Sequence, residues 1–459
     1  MREPQTKEKT AERRPRKAHP ASPARVEAVR LLDLFHRKWR PLSLILSDHR
    51  WRVESRDRIL ASELLYGTIR WEIQLDWLLS QFVHGRLGDY PLTVQNILRL
   101  GAYQVEHLRS IPDYAVVNEA VELARAFGQI RFARLVNAVL RNFLRRRKLI
   151  QWPATEAGAA EALGVRYAFQ PWMVQLFLDQ YGFALTEKVL ASLNERPVFS
   201  LRINTKRRTP EEFVQVLGEQ GIEAEPSPVL PEFVRIRGTL GPVWGLPGFS
   251  EGEFFVQDES AGIVAHLAEP QGPFIDVCSA PGGKLSHIRQ LLGDDLFLIA
   301  SDLHASRLEL VKDNFRRLRL KPPAFVQADG RRLPFRRGEQ FLLDVPCSGL
   351  GVIRKNPDIK LRRTPEEISE LVEIQKNLLE EAAKLLPPGG VIIYSTCTIN
   401  REENQGVVEK FLSGHRDFSP VAISGWEEIR QPGSPWLEIL PVGTPLDGAF
   451  VAKVRKRSV

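Results

Sequence analysis

The chain has 459 residues, 43% apolar and 26% charged, an ordinary globular balance with length for about three domains. Three features set its class: no run nears the ~18 apolar residues of a membrane span, the charged start MREPQTKEKTAERRPRK lacks the apolar core of a secretory signal, and three cysteines are too few for a disulfide framework. Residues 1–150 hold 28 Lys and Arg against 16 Asp and Glu, a surplus of twelve within a net charge of +8, so the remainder sums to −4 and a polyanion-binding part joined to a different one is expected.

A cytoplasmic protein with no membrane contact follows as the expectation, and a monomer is the expected state. Residues 1–22 have no apolar period and read as a disordered basic tail. Over 23–150 apolar residues recur at helical spacing. Ile59, Leu60, Leu64, Leu65 and Ile69 form one such face, and Val94, Ile97, Leu98 and Val105 another. This predicts an all-helical bundle ending in the run Arg145, Arg146, Arg147, Lys148. Cations there suit either the dipole of a helix end or contact with phosphate, and the two readings stand level. Residues 151–170 read as a linker. From Trp172 to about residue 245 helix and strand mix in a small α+β module: TPEEFVQVLGEQG is a helix with Thr209 as N-cap and Pro210 at its first position, and FSLRIN and FVRIRG are strands. The Gly/Pro-rich GTLGPVWGLPGF marks its end.

Beyond residue 245 buried apolar runs alternate with helices, which predicts a parallel, doubly wound sheet. In such sheets ligands sit past the carboxyl ends of the strands. The first strand leads into Asp276-Val-Cys-Ser-Ala-Pro-Gly-Gly-Lys284. This is neither the GxGxxG of nicotinamide enzymes nor a P-loop, but Gly282 and Gly283 let a ligand approach the backbone closely. Asp302, Asp329 and Asp344 end the next three strands. One such Asp is ordinarily a cap; four with a Gly-Gly turn favour a nucleoside site, Asp302 facing ribose and Asp329 an adenine amino group.

All three cysteines, Cys278, Cys347 and Cys397, follow strand ends, the last two after strands expected to be neighbours. A lone cysteine is usually core filler; three of three at one edge is not. No His/Cys pattern has zinc spacing and CxxC is absent, so no metal site is expected. A nucleoside cofactor, a thiolate and an acid suit methylation of pyrimidine carbon 5. A thiolate adds to carbon 6, carbon 5 takes a methyl group from S-adenosylmethionine, a donor such as Asp344 stabilises ring nitrogen 3, and a base removes the carbon 5 proton.

DVCSAPGGK, DVPCSGLG followed by IRKNPDIK, YSTCTINREENQGVV, FVQDESAG and the closing DGAFVAKV resemble the RNA cytosine-5 methyltransferases of the Sun/Fmu (RsmB) family. The helical part is similar to the NusB RNA-binding fold that this family carries. The resemblance implies an all-α NusB-like domain over 23–150, the small α+β RNA-docking module with its linker over 151–245, and an α/β doubly wound, Rossmann-like methyltransferase domain over 246–459. It implies Cys397 as nucleophile and Cys347 in product release. Cys278, Ser279, Ala280, Pro281, Gly282, Gly283, Lys284, Asp302, Asp329 and Asp344 match the S-adenosyl-L-methionine contacts. Ser279 and Val345 stand where the family commonly has Ala, and Ala or Pro. The implied partner is small-subunit (16S) ribosomal RNA, with its cytosine unpaired or flipped. A methyltransferase for transfer RNA or DNA, and a non-catalytic NusB-like RNA-binding or antitermination factor, are the alternatives.

Overall fold

The computed structural model describes residues 21–108, 111–237, 243–269, 272–430 and 433–458. All but the last two residues of the expected basic tail lie outside the described residues, as does part of the Gly/Pro cluster. The chain divides into two compact units. One comprises the residues up to Arg37 with Trp51–Thr68 and Leu75–Ile150; the other comprises Lys38–Arg50, Ile69–Gln74 and Gln151–Val459.

The first 150 residues are helical, as their apolar spacing predicts: α1 (Pro23–Lys38), α2 (Leu42–Ser47), α3 (Ser55–Ser80), α4 (Leu92–His107), α5 (Asp113–Ala126) and α6 (Ala133–Arg146). Of these, α2 and the stretch Ile69–Gln74 of α3 count with the second unit. In the first unit Leu32, Phe35, Leu64, Leu65, Val94, Ile97, Val117, Val136 and Leu140 are all buried. The buried Asp33 ties α1 to α4 by accepting from Thr93 Oγ1 (2.6 Å) and Asn96 Nδ2 (2.8 Å). A Cβ on Gly67 would stand 2.0 Å from the Tyr103 ring, so only glycine lets α3 and α4 approach this closely. The two readings of the terminal basic run divide by residue. Arg147 donates to the Val105 carbonyl at 2.5 Å and lies 3.8 Å from both Glu106 and Asp113, pinning the helix end. Arg145, Arg146 and Lys148 are exposed.

The second unit corrects the expected linker. Residues 159–167 form α7 (Ala159–Tyr167), because AAEALGVRY is built of good helix formers and buries Ala160, Ala162 and Leu163. It is followed by α8 (Pro171–Leu193), broken at Gly182, where φ is +71°. A small antiparallel sheet of order β2-β3-β1-β4 comes next, made of β1 (Phe199–Ile203), β2 (Ala224–Pro226), β3 (Phe233–Ile236) and β4 (Phe254–Val256). β4 lies beyond residue 245 yet pairs with β1. Leu201, Ile203, Val234 and Phe254 of this sheet pack on Phe213 and Leu217 of α9 (Pro210–Glu219). Thr209 caps α9 reciprocally with Glu212, and Pro210 occupies its first turn.

After α10 (Glu259–His266) the second sheet begins. Its elements are β5 (Phe274–Asp276), α11 (Gly283–Leu292), β6 (Leu298–Asp302), α12 (Ala305–Leu318), β7 (Ala324–Gln327), β8 (Gln340–Asp344), α13 (Ile359–Arg362), α14 (Pro365–Leu385), β9 (Val391–Thr396), α15 (Gln405–Gly414), β10 (Phe418–Pro420), β11 (Leu437–Ile439) and β12 (Ala449–Lys456). The strand order is β10-β12-β9-β8-β5-β6-β7, with β11 paired to β12. Five strands, β9 to β7 in that order, are parallel. The remaining pairings are antiparallel: β12 runs against β9, β10 and β11, so the sheet is mixed rather than wholly parallel. The physical reason is connection length, since parallel pairing needs a crossover and no helix separates β11 from β12 among the described residues. Alternate residues feed two cores. Phe274, Leu298, Leu342 and Ile393 face Leu285, Ile288 and Val311 of α11 and α12, while Ile275, Phe341, Ile392 and Tyr394 face Leu378, Ala382 and Val408 of α14 and α15. The chain leaves β5 toward β6 and β7, then returns to β8 on the other side. The carboxyl ends of β5 and β8 therefore flank the switch point where such folds bind ligands.

Candidate active site

At the end of β5 the backbone turns sharply into α11. Gly282 has φ of +93°, and a Cβ there would stand 2.9 Å from Val311, while one on Gly283 would press on Phe255 at 3.1 Å. Both requirements explain the Gly-Gly pair, which leaves bare backbone at a helix N-terminus. The rest of the loop is held by its neighbours. Ser279 N donates to the Ser301 carbonyl (2.9 Å), Ala280 N to Asp302 Oδ2 (3.3 Å), and Asn314 Nδ2 to the Pro281 carbonyl (3.0 Å). Asp302, almost fully buried at the end of β6, also accepts from His304 N at 3.2 Å. Asp276 is buried with Oδ1 unpartnered, and burial together with the neighbouring Asp344 pushes its carboxyl up to about 8. Burial, and then the carboxylates of Asp276, Asp344 and Asp302, push the Cys278 thiol up as well. A bare turn, an acceptor at the end of β6 and an unmatched buried acceptor together fit a cationic nucleoside ligand.

Lys284, the first side chain of α11 after the glycines, reaches Asp344 at the end of β8, with Nζ 2.7 Å from Oδ2. Burial works against its charge, but Asp344 outweighs burial and the ammonium is held above its ordinary range. Ser395 Oγ of β9 donates to Asp344 Oδ1 at 2.9 Å. Beyond β8 and β9 stand the two thiols, Cys347 Sγ 3.1 Å from Cys397 Sγ, with Cys397 N donating to Cys347 Sγ at 3.3 Å. The hydrogen bond with Cys397 and burial push Cys347 well up. That shift keeps the proton on Cys347.

The structure thus gathers the 278–284 loop, Asp302, Asp344, Cys347 and Cys397 at one sheet edge. Asp329 stands apart from the expectation. β7 stops at Gln327, and the Asp329 carboxylate is engaged by Arg331 at 2.7 Å, which holds it below the usual carboxylate range.

Two groups escaped the sequence reading. Glu403, fully buried, accepts from Ser348 N (2.7 Å), Ser348 Oγ (2.5 Å), Gln375 Nε2 (3.1 Å), Thr398 Oγ1 (3.3 Å) and Asn400 Nδ2 (3.3 Å). Lys355 bridges Asp258 Oδ2 (2.6 Å) and Asp447 Oδ2 (2.8 Å), joining FVQDESAG, IRKNPDIK and DGAFVAKV through one ammonium. Burial and Asp258 push Asp447 up to about 7. The available signal was that Glu403 shares the stretch YSTCTINREENQGVV with Cys397, and that Asp258, Lys355 and Asp447 each sit in one of the other short motifs. Among the described residues one cluster has metal-ligand types, Glu232, His266 and His287. Its atoms are turned on each other: both imidazole Nε2 atoms lie 2.7–2.8 Å from Glu232 Oε1.

Residues 265–455 match the family model for 16S rRNA methyltransferase RsmB/F, residues 22–145 that of the NusB family, and residues 169–242 an RsmF/B-like, ferredoxin-like domain. The chain is similar to the probable ribosomal RNA small subunit methyltransferase B of Synechocystis sp., with 36% identity over 87% of this chain and 91% of the relative. Its counterpart in Bacillus subtilis is 34% identical over 88% and 92%, and the ribosomal RNA small subunit methyltransferase B of Salmonella typhi 34% over 94% and 98%. Among solved structures, PH0851 superposes with a TM-score of 0.77 at 24% identity, covering 96% of this chain and all of the other. NSun6 from Pyrococcus horikoshii with SFG gives 0.57 at 24% over 62% and 98%. At these identities the two structures speak for the fold.

Proposed function

Because the chain belongs to the ribosomal RNA small subunit methyltransferase B family, we propose that it methylates carbon 5 of a cytosine in small-subunit ribosomal RNA, using S-adenosyl-L-methionine. The observation that carries this reading is the pair of thiols 3.1 Å apart at the ends of adjacent parallel strands, beside the Asp344–Lys284 ion pair. When bound, S-adenosylmethionine supplies an electrophilic methyl group on a cationic sulfur. The bare turn at Gly282 and Gly283 and the Asp302 carboxylate would hold it.

Cys397 Sγ adds to carbon 6 of the cytosine, which makes carbon 5 nucleophilic. Cys347 keeps its own proton and stands within hydrogen-bond distance of the Cys397 sulfur. The Asp344–Lys284 pair meets ring nitrogen 3 and offers the hydrogen bond that stabilises the adduct. Once Cys397 is held in a carbon–sulfur bond, the hydrogen bond and charge that kept the proton on Cys347 are gone. Cys347 then gives its proton to solvent and, as the thiolate, takes the carbon 5 proton; the electrons of that C–H bond re-form the ring double bond, the carbon 6–sulfur bond breaks and Cys397 leaves as a thiolate. The basic residues 23–150, matching the NusB family, serve to hold the RNA, with the 151–245 segment docking it beside the 246–459 methyltransferase segment. The target base must leave its stack to reach a pocket at strand ends. No helix among the described residues is long and apolar enough to cross a membrane.

Mapping 5-methylcytosine in total RNA from a deletion strain and its complement tests the proposal. One small-subunit site should vanish and return; an unchanged ribosomal map with a lost transfer RNA site would move the substrate elsewhere.

A further inference from the structure

The residue after each thiol grips one carboxylate. Ser348 follows Cys347, and Thr398 follows Cys397, on loops that leave different strands. Ser348 holds Glu403 through both its backbone N–H and its hydroxyl, and Thr398 through its hydroxyl. The two hydroxyls also lie 2.8 Å from each other. Gln375 of α14 links Glu403 Oε1 to the Pro346 carbonyl (2.9 Å), one residue before Cys347. Behind the carboxylate, Tyr394 OH donates to the Glu403 carbonyl at 2.6 Å and fixes its backbone to β9. Glu403 has no exposed surface and makes no ion pair with a cation among the described residues, so neither substrate contact nor charge pairing accounts for it. A buried carboxylate is tolerated only when its acceptor sites are filled, and here donors from both thiol loops fill them.

We infer that Glu403 is a positioning residue whose carboxylate spans the Cys347 and Cys397 loops and sets the separation of the two thiols, so that the thiol released from carbon 6 and the base that triggers release act in one register. The catalytic half of this inference rests on the thiol roles proposed above; the spacing half does not. Span is the essential property. Aspartate keeps the carboxylate but is one methylene shorter and cannot hold both loops. Glutamine keeps the length, its amide oxygen still accepts from Ser348 N–H and Gln375 Nε2, and the Ser348 hydroxyl can turn to accept from its NH2, since a hydroxyl serves either way; the 3.3 Å contact from Asn400 Nδ2 is the one it gives up.

The test compares the wild type with Glu403→Asp and Glu403→Gln in the full chain. Phenylarsine oxide, which bridges two neighbouring thiols, reads the spacing without any reaction, and mass spectrometry locates the bridge. Capture across Cys347 and Cys397 should weaken about tenfold in Glu403→Asp, the equivalent of one strong hydrogen bond, and stay near wild type in Glu403→Gln. Ser348→Ala, which loosens the same grip from the other side, should resemble Glu403→Asp and covers the case in which that variant folds poorly. In single-turnover methylation Glu403→Asp should accumulate a protein–RNA adduct with KM for RNA unchanged, and Glu403→Gln should restore release. Unchanged capture in Glu403→Asp and Ser348→Ala, or loss in Glu403→Gln with retention in Glu403→Asp, overturns the clamp. Weakened capture with no adduct and normal turnover keeps the spacing role and overturns the thiol roles instead.

Discussion

Asp276→Asn isolates the electrostatic stress at the cofactor turn. Asp276 is buried, its Oδ1 is unmatched, and burial with Asp344 raises its carboxyl to about 8, against roughly 3.9 for an unfolded Asp. A raised acid is protonated in the native state while the unfolded chain has already ionised. Native stability from this group is therefore complete below the unfolded value and is lost as pH rises toward about 8. Between those limits the states differ by about one proton, so wild type should lose about 1.4 kcal/mol per pH unit from this source. The sum has a ceiling of about 6 kcal/mol, lowered by relaxation and water entry. Asn imitates the protonated form at every pH. The gap between variant and wild type should hence be small near pH 4.5, grow through pH 7 in favour of Asn, and flatten above about 8. Subtracting the two proteins cancels Asp447, whose carboxyl is also raised. The assay is urea unfolding at a series of pH values, read by exchange protection of peptides carrying β5 and β8, so that the helical unit does not mask the transition. A gap that does not change with pH refutes the argument.

Three further outcomes are expected. Cys397→Ser should abolish both methylation and adduct, whereas Cys347→Ser should methylate, stall, and leave a protein–RNA adduct on denaturing gels; the opposite pattern exchanges the two roles. Asp302→Ala removes the acceptor of Ala280 N and should weaken S-adenosylmethionine binding by about 1–3 kcal/mol in calorimetry, with unchanged affinity removing Asp302 from the site. Reversing the exposed Arg145, Arg146 and Lys148 to Glu should lower RNA affinity and flatten its salt dependence by about two to three in the log–log slope, leaving cofactor affinity intact; the same slope as wild type would place the RNA elsewhere.

Local pattern carried much of this fold. The helical spacing before residue 150, the N-cap at Thr209 and the strand–helix alternation beyond residue 245 each depend on neighbours a few residues apart, and each is found. Even the thiol pair was legible, because Cys347 and Cys397 follow strands that a doubly wound order makes adjacent. What sequence concealed depends on distant partners. Residues 159–167 looked like a linker because their small side chains are buried only by tertiary packing. The antiparallel direction of β12 depends on where the chain returns, not on the composition of AFVAKVRK. Glu403 and Lys355 read as ordinary surface charges until the loops that surround them are brought together. The grouping of Lys38–Arg50 and Ile69–Gln74 with the second unit likewise has no local signature, and it makes a cut at residue 151 a poor way to separate the units.

The strand that leads to Cys397 has two neighbours of very different age. β8 precedes β9 in the chain and is already made when β9 emerges, but β12, which pairs with β9 from Val391 to Thr396, is synthesised more than about fifty residues later. Until then β9 presents a bare hydrogen-bonding edge, and the backbone leading to Cys397 is braced on one side only. Phe450, opposite Thr396, is the residue that closes this edge beside the thiol. A nascent chain, or one cut short by a premature stop before residue 449, would thus carry both cysteines and the 276–284 turn and still hold its attacking thiol on an unfinished sheet. Translation itself delays the assembly of the nucleophile until the rest of the catalytic fold is in place.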